Sequence, residues 1–305
     1  MALKDFIRKM VPKQLLDWNR ARKKDAQRLI LAAQRDAGNV LTKEILVEQF
    51  KKIGLKSGDH VMVHSAMSKI GFLENGPKTF VDALLEVVGK KGTVCMPSSP
   101  VKTLQLEHMQ NAPVFDVKNT PSAMGAITEY FRQLPQTRRS LHPTEPVCAN
   151  GLLADEFVKG HFSELTPYTA KSPWKKLMDA GGKILYVGVT LDNAGTHLHT
   201  LEDALPFKFP VYASEIFNAI CVDENGLEKM MTTKVHNPEF SNKRKCDALI
   251  PYFEKKGVLS KHQLGNAAVL FLDAKSMFEA MVAGYQKDGI TMYTPNGEKI
   301  AGYDK

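Results

Sequence analysis

The feature that most constrains this fold is a strand–helix–strand unit in the first third of the chain. A short apolar strand, VMVH at residues 61–64, precedes the amphipathic segment TFVDALLEVVG at residues 79–89. A second apolar strand follows within GTVCMPSS at residues 92–99. Two strands joined through a helix pair in parallel, with a right-handed crossover. The unit therefore predicts an α/β domain with a partly parallel sheet.

Further strands and helices extend this unit. Thr42 and Ser172 are each placed to cap a helix that a glycine ends. The segment GKILYVGV at residues 182–189 supplies a third strand, and alternation later in the chain predicts antiparallel strands. Residues 100–122 contain three prolines and are predicted to be irregular. We predict a three-layer α/β sandwich with a mixed, partly parallel central sheet, an antiparallel extension and an appended N-terminal helical segment.

Basic residues are concentrated at the N-terminus. The chain has a net charge of +8 at pH 7, and residues 1–28 hold nine lysines and arginines against three aspartates. Such an excess favours an anionic partner, which can be a phosphate-bearing cofactor, nucleic acid or an acidic membrane face; a solvated basic helix is the alternative. We predict a helical segment at residues 1–40, interrupted at Pro12, and a main domain at residues 41–305. Residues 1–38 are expected to pack on the core or to form a dimer or peripheral membrane contact.

Composition argues against several classes of protein. No apolar run approaches the roughly 18–20 residues of a membrane span, and the first ten residues lack the apolar stretch of a secretory signal. The four cysteines lie far apart without a CxxC pair, which favours reduced thiols in a cytoplasmic protein over a zinc site. Cys95 and Cys148 stand among apolar strand residues, so we expect them in the core. Basic residues are not interleaved with stacked aromatics, so no nucleic-acid partner is expected.

The candidate chemistry lies in VGVTLDNAGTHLHTLEDA at residues 187–204, which predicts a buried strand, a turn and the start of a helix. His199 and Glu202 are three residues apart and would share a helical face. An imidazole beside a carboxylate at the end of a strand is typical of a general base. His197, two residues earlier, is the alternative base. A metal site formed by these three side chains lacks a further ligand, so no metal is expected.

Two further segments suit an anionic cofactor. HSAMSKIGF at residues 64–72 follows the first strand and places Ser65 and Ser68 at a strand-to-helix corner, where backbone N–H groups can bind an oxyanion or phosphate. RRSLHP at residues 138–143 adds two arginines and a turn fixed by proline. The P-loop and GxGxxG motifs of nucleotide-binding proteins are missing from the sequence. The two segments therefore predict a phosphate-binding site of another kind.

Taken in order, these segments resemble the aminoglycoside 3-N-acetyltransferase family. The resemblance runs from about Leu41 to Ala283 and rests on five ordered blocks, of which those at residues 58–72, 124–151 and 172–203 carry the candidate residues. Members of this family transfer the acetyl group of acetyl-CoA to an amine of an amino sugar. The resemblance therefore implies an acetyl-CoA-dependent N-acetyltransferase that acts on a small-molecule amine.

The same resemblance implies roles for individual residues. His199 matches the catalytic base and Glu202 its carboxylate partner in a T-x-L-H-x-x-E run. The family's corner and loop motifs assign a further set of residues to the acetyl-CoA side of the site. They are His64, Ser65, Ser68, Arg139, Ser140, His142 and Pro143. Glu145 and Asp192 are candidates for binding the acceptor, and Pro146 departs from the small polar residue that the family usually carries there.

The acceptor is expected to be an amino sugar. The basic surface favours one linked to a nucleotide, as in polysaccharide biosynthesis. The alternative is an aminoglycoside antibiotic, as in the family's named members, and the enzyme would then confer resistance. A non-enzymatic alternative is a nucleic-acid or membrane-surface binding protein that uses the basic N-terminal helices. For the enzyme, we expect direct attack of the amine on the thioester, with no covalent enzyme intermediate.

Overall fold

The computed structural model describes residues 13–298, so the predicted helix break at Pro12 lies outside the described residues. The helices are α1 (Lys13–Asp36), α2 (Lys43–Ile53), α3 (Met67–Ile70), α4 (Pro77–Val88), α5 (Gln105–Gln110), α6 (Ala126–Arg132), α7 (Ala154–Val158), α8 (Pro173–Asp179), α9 (Leu191–Ala194), α10 (Thr200–Ala204), α11 (Pro238–Ser241), α12 (Ile250–Lys255) and α13 (Ala274–Asp288). Short 3₁₀ turns cover His161–Ser163, Thr196–His199 and Cys246–Leu249.

The strands form one large sheet and two small ones. They are β1 (Val40–Leu41), β2 (His60–Ser65), β3 (Phe72–Leu73), β4 (Thr93–Pro97), β5 (Val114–Asp116), β6 (Arg138–Arg139), β7 (Val147–Gly151), β8 (Lys183–Val187), β9 (Phe217–Val222), β10 (Glu228–Thr233), β11 (Leu259–Leu264) and β12 (Ala267–Asp273). The large sheet has the order β11-β12-β8-β2-β4-β7-β6. Strands β8, β2 and β4 are parallel, and the strands on either side of these three are antiparallel to their neighbours. The predicted mixed, partly parallel sheet is thus confirmed.

Local sequence signals begin and end the helices that cover this sheet. The Thr42 hydroxyl accepts a hydrogen bond from the N–H of Ile45, 3.4 Å away, and Gly54 ends α2 with a φ of +114°. Ser172 caps α8 in the same way, because its hydroxyl accepts from the N–H of Lys175 at 3.2 Å. Both predicted helix caps are confirmed.

Side chains of the central strands alternate between two hydrophobic cores. On β2, Met62 belongs to one core, whereas Val61 and Val63 belong to the other. Helices α8 and α13 close the first core, and α2, α4 and α6 close the second. This arrangement is the predicted three-layer sandwich. Cys95 and Cys148 are fully buried within it, as expected, and burial raises the pKa of the Cys148 thiol to about 11.

A smaller sheet corrects one prediction. Residues 100–122 were expected to be irregular, but they contain α5 and the short strand β5. Strand β5 pairs in parallel with β9, which in turn forms a hairpin with β10 around a turn at residues 223–226. Because its partner lies about 100 residues later in the chain, β5 has no local signal that competes with the prolines around it.

Helix α1 precedes the sandwich and lies against its edge near β3. Strand β1 follows α1 and spans the predicted boundary between the N-terminal segment and the main domain at residue 40. This division of the chain stays a prediction. No helix among residues 13–298 is both long and apolar enough to cross a membrane.

Candidate active site

The candidate site lies where the parallel strands β8 and β2 end. Ala66, just after β2, donates a backbone hydrogen bond to the carbonyl of Val187 at the end of β8, at 2.9 Å. Gly188 then approaches the same corner, and a Cβ atom at this position would lie 2.6 Å from the Cβ of Lys69. The corner after β2 and the segment after β8 therefore meet at one edge of the sheet. The carboxyl ends of parallel strands are a common position for ligand sites in α/β proteins.

Short helical turns after β8 bring His199 and Glu202 together. Nδ1 of His199 lies 2.9 Å from Oε2 of Glu202, without the alignment of a full hydrogen bond. The Glu202 side chain is fully buried, whereas 11% of the His199 side chain remains exposed. The predicted imidazole–carboxylate pair is thus present, and only its imidazole reaches solvent.

Three residues that the sequence analysis did not identify complete the surroundings of Glu202. His236 donates from Nε2 to Oε2 of Glu202 at 2.8 Å. Arg244 donates from Nε and Nη2 to Oε1 at 3.2 and 3.1 Å, and the Tyr293 hydroxyl donates to the same oxygen. These partners follow Glu202 by 34, 42 and 91 residues. No local spacing pattern links them to it, so the sequence alone offered no signal that could have found them.

The charges in this cluster set the protonation states. Burial alone would raise the pKa of Glu202, but His199, His236 and Arg244 outweigh it and hold the pKa well below its ordinary value. Burial and the Arg244 cation lower the pKa of His199, against the opposing effect of Glu202. Burial likewise lowers the pKa of His236 to about 3. At neutral pH the site therefore holds an ionised carboxylate, an arginine cation and two neutral imidazoles.

This state is suited to a general base. In a neutral imidazole one nitrogen carries the proton and the other accepts one. The ionised Glu202 favours the proton on the adjacent Nδ1 of His199, which leaves Nε2 to accept a proton from a reacting group. His197, the alternative base, is completely buried, and burial together with His64 lowers its pKa to about 3. Glu202 contacts His199 and not His197.

The same cluster brings together ligand atoms of His199, Glu202 and His236 within 4.8 Å of one another. Three such donors can hold a divalent cation in principle. The Arg244 guanidinium, however, already neutralises Glu202 and would repel a second cation at this distance. The trio is better described as a cluster of interacting polar side chains than as a metal centre.

The corner after β2 holds three of the predicted cofactor residues. Ser65 is half-buried at the end of β2, and Ser68 is exposed in α3. His64 is buried and stacks on Tyr186, with ring centroids 4.8 Å apart. Burial lowers the pKa of His64 to about 3, so its ring carries no charge for a phosphate at neutral pH. Their contact with acetyl-CoA stays a prediction.

Strand β6 and the loop after it are fixed by hydrogen bonds to other parts of the protein. The Arg139 guanidinium is buried and donates to Oγ of Ser98 at 3.0 Å, to the carbonyl of the same residue, and to the carbonyls of Val117 and Thr120. Ser140 accepts from the N–H of Val147 at 2.9 Å. The N–H groups of Arg139 therefore donate to other parts of the protein, and its role as a cofactor contact stays a prediction.

His142 and Pro143, also predicted on the cofactor side, are buried in the same loop. Nδ1 of His142 accepts hydrogen bonds from the N–H groups of Thr144 and Glu145, at 3.3 and 3.0 Å. The ring stacks on His161 with centroids 4.6 Å apart. These contacts fix the turn that presents Glu145.

The two predicted acceptor residues lie in different surroundings. Glu145 is buried, and its carboxyl group accepts hydrogen bonds from Gln105 and Tyr168. Burial raises its pKa to about 7, and the Tyr168 ring lies 5.0 Å from that of His199. Asp192 is exposed and exchanges backbone-to-carboxylate hydrogen bonds of 3.0 Å with Asp247. The structure thus brings Glu145, but not Asp192, into contact with the cluster around His199.

The chain is similar to known proteins. A family model described as aminoglycoside 3-N-acetyltransferase matches residues 62–286. The SPbeta prophage-derived aminoglycoside N(3')-acetyltransferase-like protein YokD of Bacillus subtilis (strain 168) is 31% identical over 183 residues, which is 55% of this chain and 66% of that protein. The chain therefore matches slightly less than two thirds of this curated relative's length.

Solved structures agree with the family model. AAC-IIIb in a binary complex with CoASH has a TM-score of 0.66 and 25% identity, and the match covers 81% of this chain and 97% of that chain. AAC-VIa bound to sisomicin has a TM-score of 0.67 and 27% identity, over 81% and 98% of the two chains. Because the family model covers well over half of the sequence, the chain belongs to the aminoglycoside 3-N-acetyltransferase family.

Proposed function

We propose that this protein is an acetyl-CoA-dependent N-acetyltransferase that acetylates an amine of an aminoglycoside. The observation that carries the proposal is the neutral His199 beside the buried, ionised Glu202, in a chain that matches the family over residues 62–286. One structural neighbour is a complex with CoASH and another a complex with sisomicin, which supports both substrates. These neighbours favour an aminoglycoside over the nucleotide-linked amino sugar that the basic surface suggested.

Acetyl-CoA, when bound, supplies the thioester carbonyl. The residues at the ends of β2 and β8 fit a ligand of this kind, because the half-buried Ser65 and the backbone of Ala66 lie beside the segment that carries His199. The N–H of Ala66 already donates to the carbonyl of Val187, so the Ser65 hydroxyl is the candidate donor at this corner for the oxyanion that forms on attack. Contacts of this corner with the pantetheine arm are part of the proposal.

His199 performs the proton transfer. An amine at neutral pH is mostly protonated and cannot attack a thioester, so a base must remove its proton before or during attack. Such help contributes about 10²–10⁴-fold to the rate. Nε2 of His199 accepts the proton, and the imidazolium that forms is stabilised by the Glu202 carboxylate 2.9 Å from Nδ1. The amine attacks the thioester carbonyl directly: a C–N bond forms, the C–S bond breaks, and the CoA thiolate leaves as the thiol with the proton that His199 has taken up. Burial keeps the thiols of Cys95 and Cys148 protonated and therefore weakly nucleophilic, which argues against a covalent intermediate on either of them.

The test is release of CoA thiol from acetyl-CoA in the presence of a panel of amines. The panel holds aminoglycosides, including sisomicin, together with nucleotide-linked amino sugars and simple hexosamines. We expect turnover with the aminoglycosides and a fall of at least about 100-fold in the His199→Ala variant. His197→Asn is the matched control, because it alters the neighbouring buried imidazole while leaving the Glu202 pair in place.

Three results would contradict the proposal. Equal turnover by the wild type and the His199→Ala variant would exclude His199 as the base. Turnover with nucleotide-linked amino sugars alone would show that the aminoglycoside is the wrong acceptor, while the acetyl transfer itself would stand. Failure to bind CoA at all would overturn the assignment as an acetyltransferase.

A further inference from the structure

Two glutamine side chains on one face of helix α1 attach it to the sandwich. The Gln27 side chain donates from Nε2 to the carbonyl of Ser68 at 2.8 Å. Gln34 accepts from the N–H of Phe72 through Oε1 at 3.1 Å. Gln27 and Gln34 are seven residues apart, which places them on the same side of a helix. They fix α1 against the corner after β2, next to the candidate active site.

A different face of α1 carries an exposed apolar stripe. Leu15, Trp18 and Leu29 are 53%, 55% and 72% exposed. They belong to a stripe of residues spaced three and four positions apart, in which Arg22 is the one charged member. The stripe consists of Leu15, Trp18, Arg22, Ala26, Leu29 and Ala33. Such spacing produces a continuous band along a helix, and large apolar residues aligned in this way mark an interaction surface.

The charge of α1 selects the kind of partner. Residues 13–36 contain seven basic and three acidic side chains, a net charge of +4. Two of the three acidic groups are already paired within the helix, Asp25 with Arg28 and Asp36 with Arg35. A second copy of α1 packed on the stripe would bring two helices of charge +4 together. An anionic surface would instead be attracted, and the apolar stripe requires that this surface also accept leucine and tryptophan side chains.

We propose that α1 binds the surface of a membrane that contains anionic phospholipid. Helix α1 lies parallel to the surface, and Leu15, Trp18 and Leu29 enter the boundary between head groups and acyl chains. Arg22 lies over the Trp18 ring, with its Cζ 4.9 Å from the ring centroid, and extends its charge towards the phosphates. Because Gln27 and Gln34 fix α1 to the corner after β2, binding holds the candidate active site close to the lipid surface.

The test is co-sedimentation of the full chain with vesicles. One set contains phosphatidylglycerol and phosphatidylcholine, and the other contains phosphatidylcholine alone. We expect binding to the first set, with affinity at least about tenfold lower for the second, and weakening as the salt concentration rises. A variant that carries Leu15→Ser, Trp18→Ser and Leu29→Ser should lose at least about tenfold in affinity for the anionic vesicles.

A matched control comes from the β9–β10 hairpin. Leu227 and Met230 are 60% and 67% exposed, so a Leu227→Ser and Met230→Ser variant removes two exposed apolar side chains elsewhere. This control should bind anionic vesicles as the wild type does. Circular dichroism of all variants, with release of CoA thiol as a second readout, verifies that they are folded.

Five outcomes would overturn the proposal. They are equal binding to both vesicle sets, no binding to either, and loss of binding in the hairpin control as large as in the stripe variant. The fourth is a dimer in analytical ultracentrifugation that the stripe variant dissociates, because the stripe would then be covered by a second copy. Binding to duplex DNA that persists in the stripe variant, without vesicle binding, would assign the basic residues to a nucleic acid instead.

Discussion

At the residue scale, the carboxylate of Glu202 lies between two imidazoles, a guanidinium and a phenol. Glu202 and Arg244 change the proton affinity of His199 in opposite directions. Glu202 raises the pKa of His199, whereas burial and the cation of Arg244 lower it. The lowering effects prevail, so the imidazole is neutral at neutral pH. In the proposed mechanism Arg244 is a positioning residue, because it keeps Glu202 ionised and His199 unprotonated.

Opposite charge changes at Glu202 and Arg244 should move the pH dependence of the reaction in opposite directions. Glu202→Gln removes the anion that raises the pKa of His199, so the acidic limb of kcat/KM should move to lower pH. The rate itself should fall by about 10–100-fold, because the imidazolium loses its stabilising charge. Arg244→Gln removes a cation that lowers the same pKa, and the limb should move to higher pH. Initial rates between pH 5 and pH 9 measure both shifts.

A purely structural role for Arg244 predicts a different pattern. Both variants would then lose activity without a shift of the acidic limb, or with shifts in the same direction. Tyr293→Phe is the control, since it removes a neutral donor to Oε1 of Glu202 without changing the charge of the cluster. Its pH profile should keep the wild-type midpoint.

Residues that interact along one helical turn could be predicted from the sequence, and residues brought together by the fold could not. His199 and Glu202 are three positions apart, so helical geometry alone pairs them. His236, Arg244 and Tyr293 reach Glu202 only because the later part of the chain folds back over it. Whether an arginine faces a ligand or the protein's own carbonyls, as Arg139 of β6 does, also depends on tertiary contacts.

At the element scale, one glycine connects the strand β8 to the catalytic segment. Gly188 has a φ of +67°, and a Cβ atom there would lie 2.6 Å from the Cβ of Lys69 and 3.4 Å from the carbonyl oxygen of Ala66. The close approach lets the corner after β2 and the segment after β8 meet. A side chain at this position would push apart the two segments that form the candidate site.

Gly188→Ala should therefore lower both stability and activity. The left-handed backbone and the steric overlap together are expected to cost about 2–4 kcal/mol in the free energy of unfolding. Gly181→Ala is the matched control, because Gly181 has a φ of +68° and no atom lies within 4 Å of its added Cβ. The control should lose only about 1 kcal/mol, from backbone strain alone. Equal losses in urea unfolding of the two variants would show that the contact with Lys69 is unimportant.

Elements with local signals were predicted better than elements without them. The caps of α2 and α8 and the strand–helix–strand unit all rest on residues within one segment. Strand β5, by contrast, has three residues and depends on pairing with β9. Its extended conformation is stabilised by that partner, and no pattern of three residues can indicate a partner so far along the chain.

At the scale of the whole molecule, buried neutral histidines make folding depend on pH. Burial lowers the pKa of His64, His197 and His236 to about 3 and that of His161 to about 4, and it holds the pKa of His142 well below its ordinary value. In the unfolded chain these rings titrate near 6.5. Between these values the unfolded state binds protons that the folded state does not.

Two buried carboxyl groups act in the opposite direction. Burial raises the pKa of Glu145 to about 7 and that of Asp203 to about 6. As the pH falls through about 7 for Glu145 and about 6 for Asp203, each group takes up a proton in the folded protein while it is still ionised in the unfolded chain, so both favour the folded state. The balance at mildly acidic pH is decided by number, because these five histidines alone outnumber the two carboxyl groups, and burial lowers the pKa of His60, His108 and His199 as well.

Stability should accordingly fall as the pH decreases from 7 to 5.5. At pH 5.5 unfolding would take up roughly four to five protons on the histidines and release between one and two from the carboxyl groups. Stability therefore rises with pH in this range, and the urea midpoint should be clearly lower at pH 5.5 than at pH 7. Glu145→Gln removes one of the two groups that favour the folded state at low pH. Between pH 7 and pH 5.5 the free energy of unfolding of this variant should therefore fall by on the order of 1 kcal/mol more than that of the wild type. An unchanged or higher midpoint at pH 5.5 would mean that the buried imidazoles accept protons in the folded state, and the neutral histidine cluster proposed for catalysis would then need revision as well.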